Sequence, residues 1–353
     1  MNQSDLFQLI IDHKNENLPF VVFSEPYSEI LNVKLQNDDK LHLNYDLNCG
    51  AFVFAPFDTD KFDKIYLPFE KCQSFTVVYS DKVPKYEFSK TELSNVFNEN
   101  KHTSLVEKSL IEIEKGTLKK VVLSRVELMS ISSVDLISVF NKLFSFNNNS
   151  YTYIWFHPKV GFWIGATPEK LLIINNDLME TVALAGTQKS NSEDLVNWSE
   201  KEINEHRYVK TYILDALVKI VNNLSYSKTV NVRAGDLYHL STTINANLKS
   251  FNDYSSIVDL IHPTPAVCGM PLDDSKEFIK LNEDYERSYY SGYLGVISPK
   301  NKSVKLYVNL RCAEIVNNLI KIYVGGGITK SSNPKDEYEE TIAKSSVMKN
   351  VFY

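Results

Sequence analysis

Between Arg311 and Lys344 the chain carries an arginine, a tyrosine (Tyr323), three consecutive glycines (Gly325, Gly326 and Gly327) and then Glu337, Glu340 and Lys344. On a helix the last three stand at i, i+3 and i+7 and share one face. Arginine can grip a carboxylate through two parallel hydrogen bonds. Glycine backbone lets N–H groups approach an anion closely. The run therefore predicts a cradle for an anionic small molecule together with a hard divalent cation. A second acidic pair, Glu202 and Glu205, has the same i, i+3 spacing near the start of another predicted helix. Acids in a first turn are also favoured by the helix macrodipole, which is enough to explain either pair alone. Two such pairs, one of them beside the glycines, point to Mg²⁺, which keeps several waters and takes one or two protein carboxylates plus substrate oxygens. The glycines lack the spacing of a phosphate loop or a dinucleotide fingerprint, so no nucleotide is expected. Alone, they also read as a tight turn.

Several elements must position these groups. A helix is predicted over about Ser4–His13, followed by strands at Pro19–Ser24, Gly50–Ala55, Lys64–Pro68 and Ser74–Tyr79. Lys82–Lys101 is polar and reads as a boundary. Residues 1–102 thus form a β-rich portion, expected to be integrated into one fold with residues 103–353. A helix over Thr103–Lys115 places Val106, Leu110 and Ile113 as candidate apolar positions. A strand at Lys119–Arg125 and a helix near Val134–Phe144 come next, and Tyr151–Leu184 reads as antiparallel strands with tight turns. Glu200–Asn222 is a long helix with an apolar stripe at Val209, Ile213, Leu217 and Ile220. Strands at Ser303–Cys312, carrying Arg311, and at Leu319–Val324 precede the last helix. Strands outnumber helices while the helices are long, which predicts an α+β fold with mostly antiparallel sheet.

The 353 residues are 43% hydrophobic and 23% charged, values of a globular chain with a sizeable core. A net charge of −6 argues against nucleic acid as a partner. Cys49, Cys72, Cys268 and Cys312 show no metal-ligand spacing and read as thiols in a reducing compartment. The start of the chain lacks the pattern of a signal peptide. No uncharged apolar run reaches about 18 residues, so no membrane span is expected. A cytoplasmic protein is predicted.

Seven short motifs occur in one order: KVVLSR at Lys120–Arg125, GATPE at Gly165–Glu169, LAGT at Leu184–Thr187, Glu205–His206, HPTPA at His262–Ala266, RCA at Arg311–Ala313 and EET at Glu339–Thr341. In these the chain resembles the chorismate-utilising enzymes: isochorismate, salicylate, anthranilate and aminodeoxychorismate synthases. The resemblance runs from about residue 103 to the end. It implies a β-sandwich core with helices packed outside and an Mg²⁺-dependent site for chorismate between the sheets. Glu205 and Glu340 fall on the metal positions, and Glu202 and Glu337 on the accompanying acids. Arg311, Tyr323, Gly325 and Lys344, with Gly186 and Thr187, match positions that contact the substrate's carboxylates, and His262 belongs to a run typical of water-using members. Lys120 stands where those members carry a general base. Glu169 stands at the general acid that protonates the departing 4-hydroxyl. Ala185 replaces the nucleophilic lysine of aminodeoxychorismate synthases, so a covalent route is not expected. Gly326, Ser288 and Ala183 depart from the usual residues without removing a reacting group. The resemblance implies isochorismate synthase activity, with salicylate synthase as nearest rival. It further implies a monomer without a glutaminase subunit. An ammonia-using synthase and a binding protein without chemistry are more distant alternatives.

Overall fold

The structure is a computed structural model and describes residues 3–43, 49–79, 99–131, 135–146, 149–189, 192–193, 196–234 and 237–352. The polar boundary expected at Lys82–Lys101 lies mostly outside the described residues.

Among these residues two large sheets form, and every strand pair is antiparallel. The first contains β1 (Phe20–Ser24), β2 (Ile30–Gln36), β5 (Cys72–Val78), β6 (Lys120–Ser130), β7 (Tyr151–His157), β8 (Gly161–Thr167), β14 (Gly269–Met270), β17 (Cys312–Val316) and β18 (Leu319–Ile328). Their order is β14-β6-β18-β17-β8-β7-β1-β2-β5. The second contains β3 (Ala51–Ala55), β4 (Ile65–Pro68), β9 (Lys170–Asn175), β10 (Leu178–Lys189), β11 (Asn222–Tyr226), β12 (Val230–Ala234), β13 (Leu237–Asn247), β15 (Tyr293–Ser298) and β16 (Ser303–Val308). Its order is β11-β13-β10-β9-β16-β15-β3-β4, with β12 also on β13. Strands from the first hundred residues therefore enter both sheets. This is an α+β sandwich with helices outside.

Period-two alternation explains the layers. On β7, Tyr151, Tyr153 and Trp155 point between the sheets and meet Phe54, Tyr289 and Tyr307, while Ile154 points to the outer helices. Phe54 stacks on Trp155 with ring centroids 4.4 Å apart. Both faces are covered, so the strand reads as a continuous apolar run. Burial of each such large side chain contributes roughly 1.5–3 kcal/mol. Outside the first sheet lie α1 (Gln3–Asn15), α3 (Leu136–Phe146) and the C-terminal end of α7 (Pro334–Phe352). Outside the second lie α4 (Glu200–Leu217) and α5 (Tyr254–Ile261). The helices α2 (Glu99–Glu114) and α6 (Leu272–Asn282) close over the β6 edge.

Three expectations are corrected here, and the first two shape the site. Ser303–Cys312 is not one strand. The chain leaves the second sheet after β16 and enters the first at β17, crossing through Asn309–Arg311. Asn309 fixes the crossing by accepting from the Tyr153 hydroxyl (2.7 Å) and donating to the Tyr289 carbonyl (2.9 Å). Arg311 has left-handed backbone there, φ +46°. Gly325–Gly327 is neither loop nor turn: it lies inside β18, opposite Ser124, Leu123 and Val122 of β6. β17 pairs with β18 only as far as Cys312–Tyr323. Beyond Tyr323 that edge of β18 has no strand beside it among the described residues, and the glycines line a cavity instead. The helix expected to reach Asn222 ends at Leu217.

Candidate active site

The cavity opens where β17 leaves β18 and has about 110 Å³ of open space. Its walls include Glu169, Gly186, Thr187, Glu205, Arg311, Tyr323, Gly325, Glu340 and Lys344, so nine of the residues singled out from sequence converge. Lys120, Glu202, Glu337 and His262 are not in the wall.

Glu169 follows β8, and its carboxyl is enclosed. Burial raises it to about 7, although the charges of Lys120, Lys344 and Arg311 all pull the other way. A carboxyl in that range retains a proton to donate near neutrality. Arg311 makes no ion pair within 4 Å among the described residues. Burial draws its guanidinium down to about 10, against the pull of Glu169. It stays cationic, and it is held in strained left-handed backbone at the cavity wall.

Gly186 and Thr187 reach the wall through a bulge: the β10–β13 register shifts between Ala185 and Thr187. Gly186 takes φ +79°, and a Cβ there would lie 3.0 Å from the Glu202 Cβ of α4. The bulge thus needs glycine for both its backbone angle and the close helix.

The acidic lobe joins the starts of two helices. Ser199 caps α4 in a capping box with Glu202, while Val209, Ile213 and Leu217 bury the other face of that helix. On α7, Asn333 Oδ1 accepts from the Lys335 and Asp336 N–H groups, and Pro334 opens the helix. Each acid has a partner. Lys120 Nζ lies 2.9 Å from Glu205 Oε1, Lys344 Nζ 2.7 Å from Glu340 Oε1 and Lys201 Nζ 2.5 Å from Glu337 Oε1. Burial alone would raise the Glu340 carboxyl, but Lys344 and Lys201 hold it below its ordinary value. Burial raises Glu337 despite Lys201. Lys344 also donates to the Gly325 carbonyl on the open edge of β18 (3.1 Å).

Two glycines leave room for these carboxylates. A Cβ on Gly327 would lie 2.3 Å from Glu205 Oε1 and 3.1 Å from Lys120 Cε. A Cβ on Gly326 would lie 3.4 Å from Glu337 Oε2 and 3.9 Å from Glu340 Oε1. Glu205, Glu337 and Glu340 are thus gathered above bare backbone. No group of three or more His, Cys, Asp or Glu side chains among the described residues is packed as a complete metal shell. Glu205 and Glu340 are oxygen donors of the kind Mg²⁺ takes one or two of, alongside water and substrate oxygens, so the residues present would fit that ion.

Four expectations gain detail. Glu202 Oε2 accepts from the Ser199 N–H (2.9 Å) and hydroxyl (2.5 Å), so that oxygen serves the helix cap. Glu337 faces Lys201 behind the wall. Tyr323 keeps its place in the wall, where its hydroxyl donates to Glu314 Oε2 (3.0 Å) and its ring stacks between Trp163 and Tyr290. His262 ends α5 with its ring edge against Tyr293, and its loop offers Ala266 and Val267 to the cavity instead.

Sequence reasoning passed over His239, Tyr290, Ser291 and Lys201. His239 Nδ1 lies 3.1 Å from the Gly186 carbonyl and 3.2 Å from Thr187 Oγ1, while its buried Nε2 has no partner among the described residues. Burial keeps this imidazole neutral, with its pKa near 3.

A sequence model described as chorismate binding enzyme matches residues 55–353. Isochorismate synthase MenF of Haemophilus influenzae is 29% identical over 267 residues, 72% of this chain and 61% of that protein's length. Isochorismate synthase EntC of Escherichia coli is 25% identical over 313 residues, 84% of this chain and 79% of the relative. Among solved structures, DhbC of Bacillus anthracis superposes with a TM-score of 0.82 at 24% identity, covering 98% of both chains, a likeness of fold. The chain belongs to the family of chorismate binding enzymes.

Proposed function

We propose that the protein is an isochorismate synthase, converting chorismate into isochorismate with Mg²⁺. The observation that carries this reading is one cavity walled by a carboxyl that keeps its proton near pH 7, Glu169, and by an unpaired guanidinium, Arg311. The names of the two sequence relatives, both isochorismate synthases, agree with it.

Glu205 and Glu340 would hold the magnesium ion, which when bound supplies a fixed positive charge for a substrate carboxylate. Arg311 and Lys344, with the open backbone edge at Gly325, bind and orient carboxylate. Glu169 protonates the C4 hydroxyl, which leaves as water while the ring double bonds shift. A second water forms the new bond at C2 and gives its proton to Lys120. One water enters and one leaves, so the product is an isomer. Lys120 is wholly buried and is the counter-ion of Glu205, so its ammonium must first release a proton and part from that carboxylate before the neutral amine can take a proton from the attacking water.

The test is a chromatogram of purified protein with chorismate and magnesium chloride. Isochorismate as the product supports the reading. Salicylate with pyruvate moves the assignment to a salicylate synthase, and ammonium-dependent anthranilate to an ammonia-using one. No turnover leaves a binding protein.

A further inference from the structure

Lys201 belongs to none of the roles assigned so far, yet its ammonium spans from the start of α4 to Glu337 on α7. Burial would lower it, but Glu337, Glu340 and Glu205 together hold it firmly in the charged form. Its charge therefore acts on all three acids of the lobe. Glu337 is only 1% exposed, and its second oxygen, Oε2, has no hydrogen-bond partner among the described residues. That oxygen faces the bare backbone of Gly326, on the side shared with Glu340 Oε1.

The charges balance. Glu205, Glu337 and Glu340 are matched by Lys120, Lys201 and Lys344 in three pairs. A divalent cation entering a balanced lobe brings two uncompensated positive charges, which a dicarboxylate substrate would offset. Without Lys201 the lobe would carry a net negative charge and would attract the cation by itself.

Resting on the magnesium reading above, we infer that Lys201 is a built-in cation that withholds Glu337 from the metal's ligands. It sets the lobe near neutrality, so that Mg²⁺ alone is held weakly. Lys201 is a positioning residue here and touches no reacting atom. Glu337 Oε2 is left to accept from water around the ion.

A charge cycle tests this, with magnesium chloride titrated calorimetrically into the substrate-free full chain. The four proteins are wild type, Lys201→Met, Glu337→Gln and the double variant, each checked for folding by thermal melting. Lys201→Met is expected to bind Mg²⁺ about tenfold more tightly than wild type, and Glu337→Gln about tenfold more weakly. The double variant should return to within about threefold of wild type. It leaves no unpaired buried charge, so its comparison with Glu337→Gln still decides the matter if Lys201→Met fails to fold. Equal affinities across the cycle would overturn the role of Lys201 and leave the magnesium reading standing. Loss of binding in both variants lacking Glu337 would instead place that residue among the ligands and also overturn it. If none of the four binds Mg²⁺, the metal reading itself fails, and the inference with it.

Discussion

Lys120 Nζ and Glu205 Oε1 lie 2.9 Å apart, so the proposed base and a proposed metal ligand are each other's counter-ion. Lys120 is fully buried and Glu205 nearly so. Removing one member leaves an uncompensated charge, at a cost of about 3–5 kcal/mol. Lys120→Ala is therefore expected to lower stability in denaturant melts as well as turnover. The loss of a general base contributes about 10²–10⁴-fold in rate. The Lys120→Met, Glu205→Gln pair should recover most of the stability and none of the activity. Recovery of turnover in the double variant would remove Lys120 from the mechanism.

Glu169 ties stability to pH in the opposite sense to an ion-paired carboxylate. Its carboxyl moves from 4.5 up to about 7 on folding, chiefly through burial. The folded state thus binds more protons between those values. Its contribution to stability is complete below about 4.5 and is lost as pH rises through 7, by about 3 kcal/mol at one pKa unit per 1.36 kcal/mol. Activity should fall over the same upper limb as the acid ionises. Glu169→Gln is expected to abolish turnover and yet melt at a higher temperature than wild type at pH 8. Equal melting temperatures at pH 8 would show that the carboxyl is not held protonated by the fold.

The proposed reacting residues were legible because the family resemblance rests on short local patterns: KVVLSR around Lys120 and GATPE around Glu169 survive as strings whatever the fold does. Their separation in sequence hid nothing, since the motifs themselves name the pair. Arg311 does reach the cavity wall but was placed on a strand, because nothing local says that the chain changes sheets at Asn309–Arg311. The glycines were read from their flexibility, whereas their use is the missing Cβ beneath Glu205 and Glu337. Glu202 showed the limit of helix spacing: sharing a face with Glu205 did not reveal that Ser199 would claim one of its oxygens. Lys201 and His239 carried no pattern at all, and only the packing of α4 on α7 and of β10 on β13 gives them partners.

Gly326 and Gly327 provide a stability contrast between neighbours in one strand. At Gly327 an added methyl meets Glu205 Oε1 at 2.3 Å and Lys120 Cε at 3.1 Å, so the ion pair must shift. At Gly326 the closest atom is Glu337 Oε2 at 3.4 Å, an ordinary contact. Both positions are extended backbone that alanine adopts freely. Gly327→Ala is expected to lower the melting temperature by several degrees, while Gly326→Ala stays within about two, roughly the scale of 1 kcal/mol in a chain of this size. Similar losses at both positions would mean that the strand itself, and not the Lys120–Glu205 pair, limits the space.

Arg311 separates binding from chemistry. Its guanidinium faces Glu169 across the cavity without a carboxylate of its own, and charged hydrogen bonds contribute about 1.5–3 kcal/mol each. Arg311→Lys keeps the charge but loses the planar fork, which a bidentate carboxylate contact requires. The expected result is a KM for chorismate raised about 10–100-fold, with kcat reduced far less. Because Arg311 has no protein ion pair to lose, folding stability should change little, and the left-handed backbone strain at φ +46° is the same for lysine. Arg311 also lowers the Glu169 carboxyl, and a more mobile lysine charge would do so less. The alkaline limb of the rate profile should therefore move upward in Arg311→Lys. A change in kcat with KM and the pH profile both unmoved would place the guanidinium away from the bound carboxylate.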